Sequence, residues 1–169
     1  MSNIEQRISW HQVFMKMLHI IKLRSTCLKI KTAAMIVCNT QIISFGYNGT
    51  FTKCTECDTH WNEVYKVNYP ESKLSFDEWC KTDEFKLAHR QWSACNEIHA
   101  ESNALCWFSK HHWKKACVMY CIYSPCDTCT KEIINYKDQI NTIYYEIKYS
   151  RGDNALKRLE QAGITCIKL

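Results

Sequence analysis

His99-Ala100-Glu101 and, after a gap of 23 residues, Pro125-Cys126-Asp127-Thr128-Cys129 gather residue types that can hold and use a metal ion. Cys126 and Cys129 stand three apart and share a helix face, and Pro125 before them suits a helix start whose open N–H groups stabilise thiolates. Two thiolates and the neutral imidazole of His99 balance the charge of Zn²⁺ and leave a fourth position for water, which marks a catalytic rather than a closed structural site. Glu101 lies two residues beyond His99, and such residues do not share a face of a regular helix, so both reach one site only at a helix's first turn. There Glu101 can take a proton from the water and pass it to a substrate, a role worth roughly 10² to 10⁴ in rate. A lone Cys-x-x-Cys is often a redox or structural pair and a lone His-x-Glu carries little; joined in this order they point to hydrolysis.

The elements that must hold these groups follow from periodicity. Ser9 and Gln12 form a capping box, and Val13, Phe14, Met17, Leu18 and Ile21 recur at helical spacing, predicting a helix over about Trp10–Leu23. Ala33–Cys38 and Gln41–Gly46 are β-rich runs separated by Asn39 and Thr40, the length of a tight hairpin turn. From Thr50 to about Asp83 the pattern breaks into polar and aromatic residues without glycine, which predicts an irregular insertion pinned by something specific. Beyond it the spacing predicts a helix over Asn96–Lys110, a strand Ala116–Tyr123, a helix Cys126–Tyr136 and a strand Ile140–Ile147. A helix Asn154–Ala162 stopped by Gly163 and a strand Ile164–Leu169 follow. This order predicts one α/β domain over residues 1–169, three layers (α/β/α) around a five-stranded mixed sheet, with a metal-stapled insertion at about 50–95.

Composition bounds the function. A chain of 169 residues with 46% hydrophobic and 23% charged residues, 4 Gly and 2 Pro buries a core, which excludes collagen-like, low-complexity and wholly disordered classes. Met1–Trp10 has no signal-type apolar core, and the longest apolar run, Ala33–Cys38, falls far short of the roughly 20 residues that span a bilayer. The expectation is an intracellular, cytoplasmic protein with no membrane partner, in which the 12 cysteines stay reduced and serve metal ligation or catalysis. A net charge of +5 favours anionic ligands such as nucleotides but is too sparse for a dedicated duplex-binding domain, so no duplex nucleic acid is expected as partner.

The joined His-x-Glu and Pro-Cys-x-x-Cys elements carry the signature of zinc nucleobase deaminases, in which the Glu shuttles protons and is not a ligand. Arg24-Ser25-Thr26-Cys27, Ala33-Ala34-Met35-Ile36-Val37, Gly46-Tyr47-Asn48-Gly49, His99-Ala100-Glu101-Ser102-Asn103-Ala104 and Ser124-Pro125-Cys126 appear in one order along the chain. Together they resemble the deoxycytidylate deaminase family over nearly the whole length, and Ala88 through His99 resembles its phage-type, viral branch. The resemblance implies a cytidine-deaminase-like fold and hydrolysis of dCMP to dUMP and ammonia in supply of thymidylate synthesis, with dCTP left open as a further substrate. It also implies a homo-oligomer, a hexamer, in the cytoplasm of a cell, a virus-infected host included. Besides the catalytic Zn²⁺ it implies a second, structural Zn²⁺ on Cys27, Cys57, His89 and Glu97, with Cys54, His60, Cys80 and Cys95 as rival ligands. Metal binding there would supply folding free energy to an insertion poor in periodic apolar residues.

The resemblance further assigns Asn48 to the deoxyribose, against the alternative of a turn Asn at positive φ. It assigns Tyr149 to the nucleotide pocket, against a surface tyrosine. Arg24 becomes the phosphate contact, against a solvated cation at a helix end, and Ala100 a substrate contact. Lys110, Lys114 and Lys115 read as a solvated face. The chain departs from the family at two positions, Phe51 where the family has proline and Ala33 where strand one usually has glycine, and the loop of Phe51 bears in the family on control by dCTP and dTTP, the effectors the family implies. A deaminase of adenosine or cytidine in RNA shares the zinc site but calls for a broader basic and aromatic surface, and the Asn48 element argues against it. A zinc-stapled binding module keeps the cysteines but has no use for an open coordination position beside Glu101.

Overall fold

The computed structural model describes residues 7–108, 116–150 and 152–169. The chain runs α1 (Trp10–Ile21), a 3-10 turn (Lys22–Arg24), β1 (Ala33–Cys38), β2 (Gln41–Tyr47), β3 (Gly49–Thr50), α2 (Cys57–Asn68), α3 (Phe76–Trp79) and α4 (Asp83–Asn96). It continues with β4 (Glu97–Ile98), α5 (Ala100–Cys106), β5 (Cys117–Tyr123), α6 (Asp127–Ile134), β6 (Ile140–Ile147), α7 (Asp153–Gln161) and β7 (Thr165–Lys168). Five strands form the expected mixed sheet in the order β2-β1-β5-β6-β7. β1 is antiparallel to β2 and β5, and β6 is parallel to β5 and β7. No helix among the described residues is long and apolar enough to cross a membrane.

β1 explains the three layers. All six of its residues are buried, and alternation sends them to opposite faces. Ala33, Met35 and Val37 meet Phe14, Met15 and Leu18 of α1, while Ala34, Ile36 and Cys38 join a core with residues of α5, α6 and α7 such as Ala104, Ile133 and Leu159. The capping box holds at α1: the Gln12 N–H donates to Ser9 Oγ at 3.2 Å and the Ser9 N–H to Gln12 Oε1 at 2.9 Å. The β1–β2 turn places Asn39 and Thr40 at φ 51° and 65°, the left-handed pair that lets a two-residue hairpin match strand twist.

The insertion departs from expectation: it is helical, not irregular. Cys57, Trp61, Val64, Tyr65 and Tyr69 recur on one side of α2 and its end, and with Trp79 and Phe85 they build a third core that also takes in Cys27. Ser75 and Glu78 form a capping box at α3, and Thr82 caps α4 by accepting from the Phe85 N–H at 3.2 Å. The helix expected over Asn96–Lys110 is also shorter. Asn96 ends α4, and Glu97 and Ile98 pair with Thr50 and Gly49 in a short antiparallel clip before α5 begins. Lys110, Lys114 and Lys115 lie outside the described residues.

Gly46 sets how closely α5 lies on the sheet. A Cβ there would come within 2.5 Å of the Ala100 carbonyl oxygen and the Ala104 nitrogen, and backbone cannot step aside cheaply. Gly46→Ala is therefore expected to destabilise the protein by about 3 kcal/mol, at the upper end of overpacking costs. Chemical denaturation reads this, and a loss under about 0.5 kcal/mol, the scatter of surface changes, would contradict the close approach.

Candidate active site and metal centres

β4 leads directly into α5, and this junction resolves the spacing problem of His99 and Glu101. His99 is the N-cap of α5, in extended conformation at φ -71° and ψ 155°, so it points away from the helix, while Glu101 sits in the first turn. On the other side of the cleft Cys126 is the N-cap of α6 and Cys129 lies in its first turn. The His99 Nδ1 atom stands 3.3 Å from Cys126 Sγ and 3.2 Å from Cys129 Sγ, and the two sulfurs are 3.6 Å apart. Tetrahedral zinc, with Zn–S near ~2.3 Å and Zn–N near ~2.0 Å, sets ligand-to-ligand edges at about 3.5 to 3.8 Å. The three donors thus already stand where one ion would gather them.

Electrostatics at this cluster point the same way. Hydrogen bonding from Cys129 and His99 pulls the Cys126 thiol down to about 3, whereas sharing with Cys126, and burial, push the Cys129 thiol up. The Cys126 sulfur raises His99 to about 9 against the opposing effect of burial. Three electron-rich atoms at these distances repel unless protons or a cation sit among them. Glu101 is 7% exposed. Burial first, and the charge of Cys126 after it, push its carboxyl up to about 7, where a group can both accept and donate protons near neutrality.

A second cluster unites Cys27, Cys57, His89 and Glu97, whose ligand atoms all lie within 4.8 Å of one another. Cys27 comes from the loop before β1, Cys57 from the start of α2, His89 from α4 and Glu97 from β4. His89 Nε2 stands 3.6 Å from Cys27 Sγ and 3.3 Å from Cys57 Sγ. Glu97 Oε1 and His89 Nδ1 are buried without a hydrogen-bond partner among the described residues. A buried carboxylate oxygen left so costs free energy unless something binds it, and with two thiols and an imidazole nitrogen beside it the donor set suits zinc. The shared proton lowers Cys27 to about 3 and raises Cys57, and burial lifts Glu97 to about 7. The rival ligands do not join this cluster: Cys54 and Cys95 are exposed, Cys80 is half-buried, and His60 stacks on Trp92 at 4.6 Å. None of the cysteines forms a disulfide among the described residues.

A cavity of about 320 Å³ opens between the two clusters, reached by His99, Glu101 and Cys126 at one end and by Cys27 and His89 at another. Asn48 and Tyr149 are in its wall. Asn48 is not a turn residue at positive φ. Its Oδ1 accepts from the Thr32 N–H at 2.9 Å and its Nδ2 donates to the Ile30 carbonyl at 2.8 Å, which braces the loop that forms the wall and leaves one amide hydrogen and one lone pair. Neither Arg24 nor Ala100 is among the residues that line the cavity. Arg24 ends the 3-10 turn exposed and lines no part of the cavity, because the chain re-approaches the site only from Cys27 onward. Ala100, 1% exposed, belongs to the core beneath the site.

Three residues at the site carry no role in the sequence reading. Asn103 Nδ2 donates to the Tyr47 carbonyl at 2.8 Å, tying α5 to the end of β2. Ser124 Oγ accepts from the Tyr149 N–H at 2.9 Å, fixing the loop that presents Tyr149. Arg90, next to His89, enters the cavity wall from α4. Asn103 and Ser124 lie inside the quoted motifs, but only tertiary contact reveals what they hold.

Comparison with known proteins gives these sites a setting. The family model of the cytidine and deoxycytidylate deaminase zinc-binding region matches residues 8–147. The chain is similar to ComE operon protein 2 of Bacillus subtilis, 32% identical over 161 residues, which cover 95% of this chain and 71% of the relative. It is 33% identical to the deoxycytidylate deaminase of Enterobacteria phage T2 over 129 residues, covering 68% of this chain and 69% of that enzyme. Its fold matches the crystal structure of dCMP deaminase from the cyanophage S-TIM5 in complex with dCMP and dUMP. That match has a TM-score of 0.66 at 24% identity and covers 98% of this chain and 100% of the cyanophage chain.

Proposed function

Because the chain belongs to the cytidine and deoxycytidylate deaminase family, we propose that it hydrolyses dCMP to dUMP and ammonia at the cavity between its two donor clusters. The observation that carries this reading is the convergence of His99, Cys126 and Cys129 on one point beside the buried Glu101. A zinc ion on those three donors supplies the Lewis acidity that makes water a nucleophile near neutral pH. Glu101 accepts a proton from the water as its oxygen adds to C4 and gives that proton to N3. It then moves the hydroxyl proton of the addition product to the amino group, so that the C4–N bond breaks, the C4 carbonyl forms and ammonia leaves. Uracil keeps the proton on N3, and Glu101 returns to its starting state. Asn48 offers its remaining hydrogen and lone pair to the deoxyribose, and Tyr149 forms a wall of the pocket.

The second cluster fits a structural zinc: four protein donors close the coordination shell and leave no position for substrate. It would staple α2, α4 and β4 of the insertion to the loop that enters β1, within a single domain. Assembly into a homo-hexamer and a place inside the cell, where thiolates stay reduced, complete the proposal.

The test is ammonia release from a panel of dCMP, dCTP, CMP, deoxycytidine and adenosine-containing RNA. We expect dCMP to be used at least about 10-fold more efficiently than deoxycytidine, the worth of a charge-assisted phosphate contact. Equal use of both overturns the nucleotide reading, and faster deamination of RNA adenosine overturns the substrate class.

A further inference from the structure

The cavity wall holds a guanidinium that no described residue engages, and we propose that Arg90 binds the 5′-phosphate of the deoxycytidine nucleotide. This deepens the reading of the site given above and rests on it.

For the reaction to occur, cytosine C4 must lie against Glu101 and the His99, Cys126 and Cys129 donors. The sugar is attached at N1, across the ring from C4, so the phosphate is held by a cation in the cavity wall away from that end. Most other basic side chains near the site are accounted for. Lys148 pairs with Asp153 at 2.6 Å and Arg158 with Asp127 at 2.9 Å, and Arg24 lies outside the wall. Lys29 and Arg90 line the cavity. Arg90 makes no ion pair or side-chain hydrogen bond with any described residue, and Glu97, a carboxylate of the same wall, groups with Cys27, Cys57 and His89.

The backbone beneath Arg90 is held firmly. Its neighbour His89 is 2% exposed, and Phe85, just over one turn earlier, is 1% exposed within the aromatic core. Ser93, on the next turn, lines the same cavity and donates from Oγ to the Arg90 carbonyl at 3.3 Å. Arg90 is thus a flexible cation on a fixed base. Its planar fork matches two phosphate oxygens at once, which the point charge of Lys29 cannot do alone. It also borders the adjoining cavity of about 600 Å³, and its side chain is exposed, so a phosphate can reach it from solvent.

The test compares Arg90→Ala and Arg90→Lys with the wild-type protein, using dCMP and deoxycytidine as paired substrates on preparations matched in zinc content and melting temperature. For Arg90→Ala, kcat/KM is expected to fall about 10- to 100-fold more for dCMP than for deoxycytidine, mainly through KM. Arg90→Lys, which keeps the charge and loses the fork, recovers part of that difference. A wild type that prefers dCMP while both variants lose the two substrates in equal proportion overturns the role of Arg90 and leaves the nucleotide reading standing. A wild type that uses deoxycytidine as well as dCMP overturns both.

Discussion

Glu101→Ala is expected to reduce turnover of dCMP by at least about 100-fold, within the range that a positioned acid–base group contributes, while metal content and fold stay intact. The separation follows from geometry. Glu101 is outside both donor sets, so its loss leaves the donors of either ion in place. Nor is its carboxylate a prop of the core: buried at 7% exposure, it holds a proton up to about 7 chiefly because burial disfavours its charge. Removing it relieves that cost and leaves a small void at the cavity. Glu101→Gln keeps the volume and the hydrogen-bonding reach but cannot accept the water's proton, so it is expected to be as inactive as the alanine variant. Zinc by elemental analysis and turnover by ammonia release, measured on one preparation, decide the matter. If either variant keeps more than about a tenth of wild-type activity, the proton-shuttle role is wrong.

The difference between what sequence reveals and what it hides is clearest at the insertion. The catalytic cluster is legible because its information is local. Cys126 and Cys129 share one helix start, His99 and Glu101 another, and the awkward i to i+2 spacing points to a helix's first turn, where the structure has Glu101 with His99 just before it as N-cap. β1 is legible for the same reason, as a short apolar run buried on both faces. In the insertion the helical period is present, at Cys57, Trp61, Tyr65 and Tyr69, and so is a Ser-x-x-Glu capping box at Ser75. These positions are filled by aromatic and cysteine side chains amid polar ones rather than by aliphatic residues, so the stripe is easily taken for irregular chain. Its core closes only when Cys27 arrives from before β1, a contact with no local signature. The place of Arg24, outside the cavity wall, is hidden for a related reason. A cation at a helix end is visible in the sequence, but the direction of the chain after it is not, and the wall takes its guanidinium from Arg90 on a distant helix instead.

Wild-type protein prepared without chelator is expected to contain two zinc ions per chain, and His89→Ala or Cys57→Ser to contain one. The remaining ion is held by His99, Cys126 and Cys129, which share no donor with the second cluster. The lost ion ties the loop at Cys27 and the start of α2 to the consecutive elements α4 and β4, three stretches that are otherwise far apart in sequence. Without it Glu97 keeps a buried oxygen with no partner, and the two thiols are left to share protons in a nearly closed site. Structural zinc provides about 10 to 16 kcal/mol of apparent binding free energy in small zinc-dependent peptides. Here the aromatic core of Trp61, Trp79 and Phe85 supplies part of the cohesion, so a loss of about 4 kcal/mol is a fair scale. At roughly 2 to 4 °C per kcal/mol for a domain of this size, melting falls by about 8 to 16 °C. Limited proteolysis is expected to cut first between Thr50 and Asn96, because α2 to α4 lose their anchor while the sheet keeps its own cores. Activity falls less than stability and by an indirect route, through Glu97 and the β4 clip that precede His99. One zinc per chain in the wild type, unchanged in both variants, would return Cys27, Cys57, His89 and Glu97 to ordinary packing and leave the catalytic centre as the only metal site.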